Sequence, residues 1–335
     1  MELANISLWI WGTFLGVIFG FLALDLGVFH RQAHVVRMRE ALIWSVVWII
    51  VALIFNLGIL LYWDRIQPDS AYKNSEAAIA FFAGYLVERA LSIDNIFVFL
   101  VVFSYFRVPP QYQHRVLFLG IIGALFFRAL FIALGAALIS AFAWTMVVFG
   151  LFLIVTGIKM IKVSGKTIDP GKNPVIRIFA KIMPTSPDYH GQKFFVRQNG
   201  VLFATPLFVA LLVVEFTDII FAVDSIPAIF AITQDTFIVF TSNVFAILGL
   251  RALFFAVAGL MELFHYLHYG LAAVLAFVGV KMLYGYAEKA IFPGWPHFPI
   301  MVSLLVIVII LAASIIASVV RPVAQAEEES VAKGA

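Results

Sequence analysis

Nine apolar stretches follow one another along the chain, separated by polar segments: 8–29, 41–63, 77–106, 116–139, 142–162, 200–232, 236–258, 264–286 and 298–320. About 20 apolar residues cross a bilayer as a helix, so each stretch is long enough to be one span. The pattern predicts an all-α polytopic membrane protein with about nine transmembrane helices, in one transmembrane domain over residues 1–322. Composition agrees: 63% of residues are hydrophobic, 12% are charged, and the mean hydropathy is +1.04. A soluble domain is nearer about 25% charged. Residues 323–335, which include Glu327-Glu328-Glu329, are expected to form a disordered tail.

Charge placement sets the expected orientation. Arg31, Arg37 and Arg39 lie in 30–40, and Arg107 and Arg115 in 107–115. Lys166, Lys172, Arg177, Lys181, Lys193 and Arg197 lie in 163–199, and Arg321 follows the last span. The intervening loops (64–76, 140–141, 233–235 and 287–297) carry few or balanced charges. Positive loops stay on the cytoplasmic side. With nine spans, this puts the N-terminus outside, the C-terminus inside, and 163–199 in the cytoplasm as a basic loop. Within that loop, 174–183 is readable as a short amphipathic helix on the membrane face or as a plain tether. The first residues lack the basic segment of a signal peptide, so the first apolar stretch is expected to be a retained helix.

The chain repeats itself. Asp94-Asn95-Ile96-Phe97-Val98 matches Asp218-Ile219-Ile220-Phe221-Ala222, Arg128-Ala129-Leu130-Phe131 matches Arg251-Ala252-Leu253-Phe254, and Gly157-Ile158-Lys159-Met160-Ile161 matches Gly279-Val280-Lys281-Met282-Leu283. The offsets are 124 (218 − 94), 123 (251 − 128) and 122 (279 − 157) residues. Each copy, 77–162 and 200–286, holds three spans. Three is odd, so the second copy enters the membrane from the opposite side. Such inverted repeats build many secondary transporters, with the site near the midplane at the repeat interface.

The candidate chemistry sits inside the apolar runs. Residues 211–227 carry Glu215, Asp218 and Asp224, followed by Ser225 and Pro227. The weaker twin at 88–97 carries Glu88, Ser92, Asp94 and Asn95, and Asp25 lies in the first span. An ionised side chain at the bilayer centre costs about 2.5–3.5 kcal/mol on insertion scales, so six carboxylates ask for a compensating charge. At about 100° per residue, Glu215, Asp218 and Ser225 share one helix face, and Asp224 lies opposite Glu215. Glu88, Ser92 and Asn95 likewise share a face, with Asp94 offset. Pro227 is expected to break its helix, freeing the Val223 carbonyl and bringing Asp224 round toward Asp218.

Oxygen-rich sites favour Mg²⁺, Mn²⁺ or Ca²⁺. No histidine lies mid-span, and the chain has no cysteine for a thiolate site. The expected ligand set is therefore Asp25, Glu88, Asp94, Asn95, Glu215, Asp218, Asp224 and Ser225 around a hard divalent cation. A structural reading competes with it: Arg128 and Arg251 lie within spans and would neutralise carboxylates as ion pairs. Lys159 and Lys281 would pair or snorkel.

At these residues the sequence resembles the TerC/Alx family of bacterial integral membrane proteins. The resemblance is carried by Asp94-Asn95-Ile96-Phe97-Val98, Ala204-Thr205-Pro206-Leu207, Phe221-Ala222-Val223-Asp224-Ser225-Ile226-Pro227-Ala228-Ile229-Phe230-Ala231 and Ser242-Asn243 with Phe245 to Arg251. It spans roughly residues 10–320. It implies kinship with LysE-like exporters, an inner-membrane location, Mn²⁺ as the exported ion, and a role in supplying metal to exported enzymes. The family's acidic positions fall on Glu88, Asp94, Glu215, Asp218 and Asp224.

The leading expectation is thus a secondary Mn²⁺ exporter driven by protons. The chain has no Gly-rich phosphate loop with Lys-Ser/Thr for ATP. The alternative is a membrane scaffold or metal chaperone, working beside the protein-export machinery without transport of its own. An intramembrane aspartyl enzyme is disfavoured, because the Gly-x-Gly-Asp pattern is missing, and nothing points to a nucleic acid.

Overall fold

The computed structural model describes residues 8–24, 36–163, 174–198, 200–258 and 266–320. Asp25, most of loop 30–40 and the tail 323–335 lie outside the described residues. Eleven helices and one hairpin make up the described fold. They are α1 (Leu8–Leu24), α2 (Met38–Ile66), α3 (Asn74–Tyr105), α4 (Pro110–Ala141), α5 (Thr145–Val163), α6 (Pro174–Ile182), β1 (Phe195–Gln198), β2 (Val201–Ala204), α7 (Pro206–Phe230), α8 (Thr236–Leu248), α9 (Leu250–Ala258), α10 (Leu267–Ala290) and α11 (Ile300–Val320).

Six of these, α2, α4, α5, α7, α10 and α11, are long and apolar enough to cross a membrane, and α8 with α9 makes a seventh as a bent pair. The two other expected spans fall on α1, which is apolar but short, and on α3. At 32 residues α3 has ample length, but it carries Glu76, Glu88, Arg89 and Asp94. Its polar groups face protein: Glu88 and Ser92 are fully buried. By contrast, the outer faces of α2 and α11 expose Ile50, Ile54, Leu57, Ile309 and Ile316, as a lipid-facing helix does.

The described fold is helical apart from the hairpin, which the expectation of an all-α protein missed. Phe195 pairs with Ala204 and Gln198 with Val201, antiparallel. The turn sequence is Asn199-Gly200, a strong short hairpin signal, and Gly200 has φ +83°. The expected helix from residue 200 therefore starts at Pro206, whose missing N–H suits a first helical position. Inside 163–199, α6 fulfils the expectation of a short helix at 174–183. Phe179 and Phe195 both pack on Phe208 of α7, at 5.5 and 4.4 Å between ring centres.

Two further differences concern breaks. Helix α7 runs unbroken through Pro227. Pro227 withholds a hydrogen bond from the Val223 carbonyl one turn earlier, yet the helix is held through it by burial of Ile226, Pro227, Ala228, Ile229 and Phe230. The bend lies in the next span instead, 43° between α8 and α9 at Gly249. Arg89 explains it. Its guanidinium donates to the Ala246 carbonyl (3.1 Å) and occupies the place that a Cβ on Gly249 would take.

Close approaches give the helix directions. A Cβ at Gly150 would lie 2.9 Å from the Gly279 carbonyl oxygen, and one at Gly157 would lie 2.7 Å from that of Ala272. Numbers rise on one helix as they fall on the other, so α5 and α10 are antiparallel. Gly84 meets Ser242 while Arg89, further along, meets Gly249, so α3 runs parallel to α8. Gly120 meets Val214 and Gly135 meets Phe230, so α4 runs parallel to α7.

The connecting segments gather at two ends. Tyr189 donates its hydroxyl to the Phe106 carbonyl (2.7 Å), and Arg115 donates to Gln192 and lies over the Phe194 ring. At the opposite end, Tyr72, Met146, Thr233, Gln234, Glu288 and His297 surround one cavity of about 120 Å³.

Candidate cation site

The carboxylates expected to meet at one site are divided between two places, and the unbroken α7 is the reason. A straight helix keeps Asp218 and Ser225, seven residues apart, on one face. It leaves Asp224 on another.

The first place is closed. Arg128 of α4 ion-pairs with Glu88 of α3 and also with Asp218 of α7, at 3.3 Å. The same guanidinium donates to Ser225 Oγ and to Asn243 Oδ1, at 3.2 Å each, while the Asn243 amide donates to the second Glu88 oxygen at 3.2 Å. Every side chain is buried; Arg128 is 1% exposed and Glu88 0%. Two carboxylates and one guanidinium leave a formal charge of −1, spread over four helices that the network ties together. Removing one partner of such a buried pair costs about 3–5 kcal/mol, because the other charge is stranded. For Glu88 and Asp218 the structural pairing with Arg128 is thus realised. Asp218 keeps Oδ2 without a partner.

The second place is open. Asp94 of α3 and Asp224 of α7 line one cavity of about 270 Å³, together with Asn95, Ser225, Thr156, Lys159 and Met160. Leu91, Phe221 and Leu275 form its apolar wall. The Thr156 hydroxyl donates to Asp224 Oδ1 (3.2 Å), orienting that carboxylate. Asp94 and Asp224 lie close enough for their charges to act on each other, and Lys159 acts on Asp224. Two carboxylates, the Asn95 amide and the Thr156 hydroxyl line the space as oxygen donors from three helices, while the Ser225 hydroxyl beside them accepts from Arg128. Among the described residues, no group of three or more acidic, histidine or cysteine side chains is placed to hold a metal ion, so a cation here would draw the rest of its shell from neutral donors.

Of the expected ligands, the structure brings Asp94, Asp224, Asn95 and Ser225 together and places Glu88 and Asp218 in the closed network. Glu215 belongs to neither. It is half-buried between α4 and α7, its carboxylate fills the space above Gly123, and its Oε2 has no hydrogen-bond partner. Asp25 lies outside the described residues. Thr156 and Met160 are the residues that sequence reasoning passed over. The repeat held a signal for Thr156: its counterpart 122 residues on is Val278, so the first copy alone carries a hydroxyl there.

The family model described as "Integral membrane protein TerC family" matches residues 73–325. Relatives cover nearly the whole chain. "Uncharacterized membrane protein STKORF319" of Myxococcus xanthus is 49% identical over 312 residues, covering 93% of this chain and 92% of that one. "Putative membrane-bound redox modulator Alx" of Escherichia coli (strain K12) is 44% identical over 308 residues, covering 92% and 93%. An "Uncharacterized membrane protein" of Rickettsia felis is 42% identical over 311 residues, covering 93% and 97%. No solved structure matches. With a family model over most of its length and relatives of this identity, the chain belongs to the TerC family of integral membrane proteins.

Proposed function

We propose that this chain is a secondary transporter that exports a hard divalent cation, Mn²⁺, across the bacterial inner membrane in exchange for protons. The observation that carries the reading is the open cavity: Asp94 and Asp224, one from each sequence repeat, face one space with neutral oxygen donors beside them. In an apolar surround the single ammonium of Lys159 offsets one of the two carboxylates, which leaves a negative charge for a visiting cation.

The reading includes nine spans, with α1 and α3 crossing, the N-terminus outside and the C-terminus in the cytoplasm. The helix directions support it. The parallel pairs α3 with α8 and α4 with α7, and the antiparallel pair α5 with α10, are what alternate crossings produce. The contacts of α5 with α10 also support an inverted repeat. Shifting Gly150 by 122 residues gives position 272, and shifting Gly157 gives 279. The contact of Gly150 with Gly279 thereby maps onto that of Ala272 with Gly157. A two-fold axis in the membrane plane generates such reciprocal pairs.

Purified protein in liposomes tests the proposal. A Mn²⁺ gradient should relax faster than in empty liposomes, and Asp224→Asn should abolish the difference. A gradient that relaxes no faster with wild-type protein overturns transport.

A second reading is favoured by the description of the Alx relatives as "Putative membrane-bound redox modulator Alx". It is a membrane scaffold or metal chaperone that affects redox chemistry by supplying Mn²⁺ to exported enzymes. This chain has no cysteine, so a redox effect through its own thiols is excluded. On this reading Mn²⁺ binds at the cavity with no flux.

A further inference from the structure

The cavity that holds Asp94 and Asp224 also holds a donor of a different kind. Met160 of α5 lines it, half-buried, one residue beyond Lys159. The other donors around the space are carboxylate, amide and hydroxyl oxygens, which Mg²⁺, Ca²⁺ and Mn²⁺ all accept. A thioether separates them. Its polarisable sulfur adds little for Mg²⁺ and Ca²⁺, which demand oxygen, and more for softer d-block ions such as Zn²⁺.

From this placement we infer that Met160 is a specificity-determining ligand, giving the Asp94–Asp224 cavity a preference for d-block divalent cations over Mg²⁺ and Ca²⁺. The inference rests on the proposed cation site and deepens it by naming the group that selects. The repeat supplies a control inside the molecule. Met282, 122 residues after Met160, is 1% exposed and lines the other cavity, where Glu288 is the one acidic residue on the wall. Without a carboxylate pair opposite it, that thioether is packing.

Ca²⁺ and Cd²⁺ are nearly equal in ionic radius and differ in softness, so the ratio of their affinities reads the sulfur apart from cavity size. Each ion is titrated into purified full-length protein. Wild-type protein should favour Cd²⁺. Met160→Leu conserves volume and is well tolerated in a packed setting. It should weaken Cd²⁺ by about tenfold, the scale on which loss of a supporting metal contact is felt, and leave Ca²⁺ within about twofold. Met282→Leu should leave the ratio unchanged.

X-ray absorption at the Cd edge gives a second readout. The chain has no cysteine, so a sulfur shell around bound Cd²⁺ can come only from methionine, and it should vanish in Met160→Leu. An unchanged ratio and an intact sulfur shell in Met160→Leu would overturn the inference while Asp94→Asn still weakens both ions, leaving the cation site standing. The same loss in Met282→Leu would overturn the assignment to Met160. If wild-type protein binds neither ion, the inference and the cation site fall together.

Discussion

The closed network around Arg128 and the open cavity around Asp94 and Asp224 use the same side-chain types within the same helices, yet their polar groups are disposed in opposite ways. In the network, Glu88 and Asp218 are fully buried and engaged by a guanidinium, with Ser225 and Asn243 completing it. In the cavity, two carboxylates face a space of about 270 Å³ with Lys159 at its edge and no guanidinium between them. A buried charge with fixed partners fastens helices together. On the proposed function, the carboxylate pair facing the cavity is the one that meets the transported cation.

Breaking the network should have the largest effect. Arg128→Gln strands two buried carboxylates and should destabilise the protein by about 3–5 kcal/mol, read as loss of protein from the membrane and a lowered unfolding temperature. In the cavity, Asp94→Asn and Asp224→Asn should leave abundance at the wild-type level and weaken Mn²⁺ binding by about a hundredfold, since ligand charge sets affinity at hard-cation sites. Calorimetry and membrane abundance measured side by side check this. If the cavity variants are depleted as severely as Arg128→Gln, the division into fastening and binding carboxylates fails.

A smaller change sharpens the comparison. Thr156→Val removes one hydrogen bond to Asp224 and copies the residue of the second repeat. It should weaken Mn²⁺ binding about fivefold, the equivalent of about 1 kcal/mol, with no loss of abundance. The smallest effect is expected from Pro227→Ala. Because α7 is already continuous, Asp224 should stay where it is, and Mn²⁺ affinity should hold within about twofold. A large loss there would mean that Pro227 shapes the cavity after all.

Much of this division was legible in the angles of an ideal helix. Glu88 with Asn95 and Asp218 with Ser225 share faces, with Asp94 and Asp224 turned aside, and the two offset residues line the cavity, with Asn95 and Ser225 reaching it from those faces. The break expected at Pro227, which would bring Asp224 round toward Asp218, is not there. The cost of a proline is a lost hydrogen bond and a clash at the carbonyl four residues earlier, and burial of the last turn of α7 outweighs it here. The bend at Gly249 was not legible, because its cause is Arg89, 160 residues earlier in the chain (249 − 89). The hairpin was legible in Asn199-Gly200 and was obscured by the apolar residues after it. The identity of Arg128's partners depended on which helices neighbour α4, and no periodicity along one segment holds that information.

If the repeat is inverted as proposed, the reciprocal contact of α5 with α10 carries a consequence for descent. A surface that meets its own copy across a two-fold axis needs no second gene to evolve against. A half-length chain inserted in both orientations would already present Gly150 to the position of Gly279 and Gly157 to that of Ala272. Fusing two such halves would fix one orientation for each and free their interiors to diverge. Thr156 facing Asp224 in one half, and Val278 at its matching place in the other, is what such divergence leaves behind.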